Sequence, residues 1–209
     1  MSTISAIPTS KRESTEDRRL AIAIAARQLI VEKGFEGLRT RDIADRVGIN
    51  IATLHYHVPS KEALIALVAE SLCAEFRAQR EKRVRGGLSP LQRLRLNFEG
   101  YRETVETKPD LIQVFAELLI RAKRDDNIRA VIEPQLGHWI GQIDEVLSAG
   151  VADGTFRPGM DTRAAAHMIT SALQTLWRDS NQIAAFERIA DELERAVINP
   201  TLANTDDNK

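Results

Sequence analysis

The sequence predicts an all-α protein: an N-terminal three-helix head on a C-terminal helical bundle, about nine helices altogether. Three observations lead there. Apolar residues recur three and four positions apart along most of the chain, and no stretch alternates with the period of two that a half-buried strand requires. Most of these periodic stretches open on Ser, Thr, Asp or Pro and close at Gly or a Pro-containing turn, the punctuation of helix ends. The chain has 209 residues, 43% of them hydrophobic and 28% charged, which is enough length to bury a core in an ordinary globular composition.

Residues 1–14 are polar, with Pro8, and are expected to form a disordered arm. Lys11, Arg12, Arg18 and Arg19 make a basic lead-in, which reads either as a solvated tail or as an arm touching phosphates. A first helix is expected from about Thr15 to Lys33, with Ile22, Ala25, Ala26, Leu29 and Ile30 on one face. Gly34 stops it, and Phe35 tucks back into the same core. A second helix opens at Thr40, a natural N-cap beside Arg39 and Arg41. Its exposed amides favour a phosphate oxygen. Ile43, Ala44 and Val47 give this helix an apolar face, and Gly48 supplies the turn after it. A third helix, about Ile51 to His57, turns Leu54 and Val58 inward. A small residue where helices cross, a turn glycine and an apolar anchor are what a helix-turn-helix needs, here Ala44, Gly48 and Leu54.

In this register the run from Arg39 to Lys61 resembles the DNA-binding region of the tetracycline-repressor (TetR) family of bacterial transcriptional regulators. The family pattern reads T-x-x-I-A-x-x-x-G-V-S-x-x-T-L-Y-x-H-F-x-S-K-x-x-L. It is matched by Thr40, Ile43, Ala44, Gly48, Thr53, Leu54, His57, Ser60, Lys61 and Leu64. The sequence departs from it at His55, where the family has tyrosine, and in part at Asn50 and Val58. The motif resemblance spans about residues 20 to 70; beyond that only the architecture is similar. The resemblance implies a third helix that reads a major groove. DNA contacts are then expected from Arg39, Thr40, Arg41, Asn50, Ile51, Ala52, Thr53, His55, Tyr56, His57 and Lys61. Ile51 and Ala52 suit a thymine methyl, and the polar side chains suit phosphate, sugar or base edges.

The rest of the chain continues as helices. A fourth starts after Pro59 with Ser60 as N-cap, runs Leu64, Leu67, Val68 and Leu72 down its inner face to about Arg83, and stops at Gly86-Gly87. By resemblance it ties head to body. The head therefore covers 15–62, a connecting helix 60–85, and a ligand-binding and dimerisation body 86–199, with a frayed tail at 200–209. Ser89-Pro90 opens helix five, to about Thr107. Lys108-Pro109-Asp110 breaks it and starts helix six, to about Lys123. Helix seven begins at Asp125-Asp126-Asn127, with a kink or short break expected at Pro134, and ends near Asp153-Gly154. Asp161 caps helix eight, about Thr162 to Asn181. Helix nine runs from about Ala184 to Ile198.

The formal net charge is −1, unevenly spread. Residues 1–85 hold 15 Lys and Arg against 11 Asp and Glu, and residues 86–209 hold 14 against 19, as suits a DNA-reading head on a body that does not touch DNA. No apolar run approaches the ~18 residues of a membrane span, and no secretory signal stands at the N-terminus. Cys73 is alone, which excludes an intrachain disulfide and suits the cytoplasm; its apolar surroundings make it buried filler. His55 and His57, two apart on a helix, face different ways, so no metal site is expected. No Ser/His/Asp or Cys/His set, paired carboxylates or phosphate loop has supportive spacing. Neither an enzyme nor a cofactor is expected.

For the body, the resemblance implies two further sites. Family members pair their last two long helices across a homodimer, which here points to Ala165, Met168, Ile169, Ala172, Leu173, Leu176, Phe186, Ile189 and Leu193. Trp177 lies on the same stripe. They also hold a small molecule among helices five to eight. The candidates are polar or aromatic residues on otherwise apolar faces: Phe98, Tyr101, Arg102, Gln113, Phe115, Glu117, His138, Trp139, Gln142 and His167. With few fixed charges there, a mostly apolar effector is expected. The function so implied is a ligand-responsive repressor binding a palindromic double-stranded DNA operator. A helical enzyme or binding protein sharing only the head, or an effector-independent activator, stays open.

Overall fold

The computed structural model describes residues 14–82, 86–176 and 181–200. The arm with Lys11 and Arg12, Trp177 and the tail from 201 lie outside the described residues. Nine helices stand among the described residues: α1 (Thr15–Lys33), α2 (Thr40–Val47), α3 (Ile51–His57), α4 (Lys61–Glu81), α5 (Pro90–Thr107), α6 (Pro109–Ala122), α7 (Asp126–Asp153), α8 (Thr162–Gln174) and α9 (Gln182–Val197). The one β feature among them is an isolated antiparallel bridge between Phe156 and Ile198.

The helix ends follow from local chemistry. Ser14 and Asp17 cap α1 reciprocally, as do Ser89 and Gln92 at α5, each pair satisfying two otherwise orphaned amides. Ser60 Oγ accepts the Ala63 N–H at α4, and Asp161 Oδ1 the Ala164 N–H at α8. Three expectations are corrected. α8 stops at Gln174, with Thr175 as its C-cap, rather than running to about Asn181. Thr40 is not the N-cap of α2 but its first residue. Arg39, extended at φ −121° and ψ 137°, takes the cap position and makes no side-chain bond there. Nor does Pro134 break α7, which runs unbroken past it. A proline removes one ladder bond, but α7 lies against α4, α5, α6 and α8, which hold the helix on both sides of the gap.

Apolar packing falls into two cores. The first joins the head (Ile22, Leu29, Ile30, Ile43, Leu54) to α4 (Leu64, Leu72), α6 (Leu111, Leu118) and the start of α7 (Ile128, Ile132). The second joins α5 (Leu94, Phe98) to the remainder of α7 (Ile143, Leu147), Phe156, α8 (Ile169, Leu173) and α9 (Phe186, Val197). Thus α6, part of the body by sequence, packs with the head.

Ion pairs bolt α6 to the head at both ends. At its start, Arg27 of α1, only 7% exposed, reaches Glu75 of α4 at 2.5 Å and Asp110 at 2.6 Å, and Lys108 meets Glu75 at 2.6 Å. The Arg27 Nε–H does not point along the Asp110 contact, so that contact is ionic rather than hydrogen-bonded. Burial pushes the Glu75 carboxyl up, but Arg27 and Lys108 outweigh it and hold the group below its ordinary range. At the other end Arg121 pairs with Glu36 at 2.7 Å and stacks its guanidinium 4.2 Å from the Phe35 ring centroid.

Candidate nucleic-acid interface and effector cavity

α3 is short, and its one fully buried residue, Leu54, anchors it. Gly48 makes the tight entry in the left-handed region at φ 73°, and Asn50 Oδ1 accepts the Thr53 N–H at 2.7 Å. At the far end the His57 carbonyl accepts from Arg19 Nη1 at 3.1 Å, so α1 holds both the underside and the end of α3. α2 is stapled to α1 by Lys33–Asp42 at 2.6 Å and by a two-pronged Arg46–Glu32 pair at 2.8 Å each. With the buried side anchored, the opposite side is presented. Tyr56 is 81% exposed, its ring set edge-on to His57 at 5.2 Å; Ile51, Ala52 and His55 are exposed, and Thr53 and His57 half-buried. Arg39 and Arg41 are exposed around the start of α2, and Thr40 is half-buried there. Lys61, in the first turn of α4, lies 3.7 Å from Glu36, a long exposed pair worth little that leaves its ammonium accessible. The eleven residues expected to touch DNA therefore fall on the first turn of α2, its N-cap, α3 with its N-cap, and the first turn of α4.

Between the two cores lies a cavity. It leaves about 820 Å³ free of protein atoms, mouth included. Phe76, Ile112, Phe115 and Ala116 come to it from the first core's helices, and Leu96, Gly100, Tyr101, Thr104 and Trp139 from the second core's side. Phe76 and Phe115 meet edge to face at 5.4 Å; Tyr101 and Trp139 stack at 5.8 Å. Tyr101 donates its hydroxyl to the Leu173 carbonyl at 2.6 Å, and burial raises its phenol well above the usual range. The polar lining consists of amides (Gln79, Asn97, Gln135, Gln174), hydroxyls and Arg80. Thr104 Oγ1 lies 2.9 Å from both Gln79 Oε1 and the Gly100 carbonyl, one proton between two acceptors.

Three of the residues expected at an effector site, Tyr101, Phe115 and Trp139, line this cavity. His138 and Gln142 line a neighbouring groove between α4 and α7. Phe98 is buried in the second core, Arg102 is tied to Glu106 at 3.0 Å on the outside of α5, Gln113 and Glu117 are half-buried on α6, and His167 is exposed on α8. Sequence reasoning missed the α4 wall and the small residues. Gly100, Thr104 and Ala116, undersized on inward helix faces, were the available signal, because each leaves room that a larger side chain would fill.

The stripe expected at a dimer interface divides. Ala165, Ile169, Leu173, Leu176 and Phe186 are buried within the second core of their own chain, at 7%, 1%, 1%, 3% and 4% exposure. Ala172, Ile189 and Leu193 are half-buried, and Met168 is 67% exposed. A 3.6-residue period identifies an apolar face without saying which protomer covers it. Among the described residues, no three His, Cys, Asp or Glu side chains come together as metal ligands, and no helix is long and apolar enough to cross a membrane. Cys73 is buried, which pushes its thiol up to about 11, despite a small opposing pull from Arg77 and Arg80.

Two family models match the chain: "Bacterial regulatory proteins, tetR family" over residues 22–68 and "YsiA-like protein, C-terminal region" over residues 70–199. The HTH-type transcriptional repressor KstR2 of Mycolicibacterium smegmatis is 26% identical over 155 residues, 73% of this chain and 72% of that protein. Among solved structures, a transcriptional regulator from Saccharomonospora viridis in complex with choline superposes with a TM-score of 0.76, at 22% identity, over 89% of this chain and all of that one. The regulator FadR of Bacillus subtilis, solved in complex with stearoyl-CoA, superposes with a TM-score of 0.67, at 20% identity, over 83% and 96%.

Proposed function

Because the chain belongs to the TetR family of bacterial regulatory proteins, we propose that it represses transcription as a homodimer and leaves its operator when a small, mostly apolar effector fills the seam cavity. The observation that carries this reading is the cavity's position. It lies between the core that holds the head and the core that holds α8 and α9, so an occupant acts on the angle between them. A ligand that fits a wider seam better than a closed one shifts the population toward the wide state, and only by the ratio of its two affinities. The amide, hydroxyl and guanidinium lining offers neither carboxylate nor imidazole to move a proton, which favours binding over catalysis.

Arg39, Arg41 and Lys61 contact phosphates together with the uncapped amides at the start of α2, while Ile51, Ala52, Thr53 and Tyr56 enter the major groove. One α3 reads few base pairs, so two copies roughly 34–36 Å apart reading a palindrome multiply the discrimination. The outer stripe of α8 supports pairing. Ala164, His167, Met168, Ser171 and Thr175, spaced along one face, are all exposed and none carries a fixed charge. The protein works in the cytoplasm, beside the DNA it reads.

The test is an electrophoretic shift on the protein's own promoter region. Tyr56→Ala is expected to weaken sequence-specific binding about tenfold, the order of one lost contact, while Cys73→Ala leaves it unchanged. Absence of specific binding by the native protein across low and physiological salt would sink the reading.

A further inference from the structure

The turn between α1 and α2 carries one carboxylate, Glu36, at a place the chain holds firmly. Phe35 before it is buried, and Gly37 after it lies so close to the end of α1 that a Cβ there would stand 2.5 Å from the Lys33 carbonyl oxygen. Glu36 is exposed, yet two cations from two other helices meet it. Arg121, near the end of α6, donates Nη2–H to Oε1 at 2.7 Å. Lys61, the first residue of α4, brings its ammonium to 3.7 Å from Oε2. The two oxygens of one carboxylate are thus divided between a cation that the sequence assigns to the body and the cation expected on a DNA phosphate.

The two cations are not equal. Arg121 is fixed: Ala122 beside it and Leu118 one turn before it are buried, and its guanidinium rests 4.2 Å from the centroid of the Phe35 ring. A charged hydrogen bond at 2.7 Å takes up most of the carboxylate's pull, and an exposed ion pair at 3.7 Å takes little. The Arg121 hydrogen bond likewise comes first in holding the Glu36 carboxyl below its ordinary range, ahead of the charge of Lys61. Glu62, the other carboxylate beside Lys61, is held low first by its own backbone amide and then by the Ser60 hydroxyl, so it is engaged at the start of α4. Lys61 therefore stands beside a carboxylate that Arg121 largely neutralises. A phosphate oxygen and Glu36 compete for one ammonium, and the charge that Glu36 presents decides between them.

We propose that Glu36 and Arg121 are positioning residues of the DNA interface: Arg121 neutralises Glu36 and so leaves the Lys61 ammonium free for a phosphate. Neither touches DNA. Without Arg121, Glu36 turns its whole charge on Lys61, closes the pair and repels the phosphate beside it. The body thus contributes to the affinity of the head through a charge rather than a contact. This rests on the reading of Lys61 as a phosphate contact and needs no effector.

Electrophoretic shift titrations of the full chain on its promoter region, without added ligand and over a range of salt, test it. Arg121→Gln is expected to weaken binding about threefold, the scale of an exposed ion pair, and Glu36→Gln to tighten it by a similar factor. Arg121→Gln added to Glu36→Gln is expected to change nothing further, because no charge is left to neutralise. Lys61→Gln is expected to weaken binding, to lower the salt slope by about one per head, and to erase the effects of both other changes. Arg121→Lys keeps the charge and is expected to restore part of the lost affinity. Melting temperatures show that each variant is folded. Arg121→Gln weakening binding as much beside Glu36→Gln as in the native chain overturns the proposal, because Arg121 then acts on the DNA or the fold by itself. Silence of both Arg121→Gln and Glu36→Gln, where Lys61→Gln weakens binding, overturns it as well. If Lys61→Gln changes nothing, the phosphate contact and the proposal fall together, while specific binding by the native protein still upholds the repressor.

Discussion

The two cores differ in how they are held together. The first includes two short helices, α2 and α3, which contribute few buried side chains each and are fastened to α1 by Lys33–Asp42, Arg46–Glu32 and Arg19–His57. The second is held by stacked and buried aromatic side chains. Tyr101 stacks against Trp139 and Phe186, and Phe156 is fully buried against Gly150. Since α6 shares the head's core, the packing boundary runs through the body and along the cavity. Under the proposed function, that seam is where an effector would act on the angle between the two units.

The largest effects come from emptying either core. Leu118→Ala on α6 and Ile143→Ala on α7, both fully buried in the native chain, should each cost about 2–5 kcal/mol in denaturant unfolding. They part in hydrogen exchange. Leu118→Ala should speed exchange in α1 around Ile22–Ile30, and Ile143→Ala should not; equal opening of α1 by both would merge the two cores into one cooperative unit.

Next come two glycines of the second core. A Cβ on Gly150 would sit 2.0 Å from the Phe156 ring, whereas one on Gly141 would meet only Arg163 Nη1 at 3.9 Å. Gly150→Ala should destabilise by about 1–3 kcal/mol through overpacking. Gly141→Ala should stabilise by roughly 0.5–1 kcal/mol through helix propensity, and opposite shifts in melting temperature are the signature. In the head, Gly48→Ala meets nothing within 4 Å, so its cost is the left-handed backbone alone, about 1 kcal/mol in the same assay.

The smallest effect concerns the joint. Glu75 has a folded pKa below its ordinary 4.5, so its contribution is present above that value and is lost as pH falls through the folded pKa. The melting temperature of Glu75→Gln should therefore fall less steeply than that of the native protein below about pH 4.5.

Legibility in the sequence followed the range of the forces involved. The bounds of α1, α3 and α5 could be read because Ser14, Asn50 and Ser89 act within three residues of themselves. Thr40 misled by one position, since its extended neighbour Arg39 takes the cap place, and the break expected at Pro134 is absent because the helices around α7 hold it on both sides. Periodicity likewise found Ile169, Leu173 and Phe186 apolar without saying that Tyr101 and Leu94 lay opposite. The cavity was the least legible feature. Tyr101, Phe115 and Trp139 stand out as aromatic or polar on an apolar face, but a cavity is made by what is missing. Gly100, Thr104 and Ala116 matter only once α4 and α7 are known to be across from them.

The hydrogen bonds joining the Thr155–Arg157 loop to the end of α9, Arg157 N to the Val197 carbonyl and Asn199 N to the Thr155 carbonyl, each at about 3.0 Å, also set an order of events during synthesis. The residues of the first core are all available once Ile132 has left the ribosome. The inner face of α5, with Leu94 and Phe98, meets α7 first, but its cover is finished only when α8 and α9 emerge; Arg95 of α5 and Glu194 of α9 meet across 99 positions of sequence. At 5–20 residues per second the ~65 residues between Ile132 and Val197 take roughly 3–13 s. For that interval the nascent chain carries a DNA-reading end whose core residues are all present and a sticky, half-built one. A chaperone that shields α5 should therefore raise the yield of the second core and leave the first untouched.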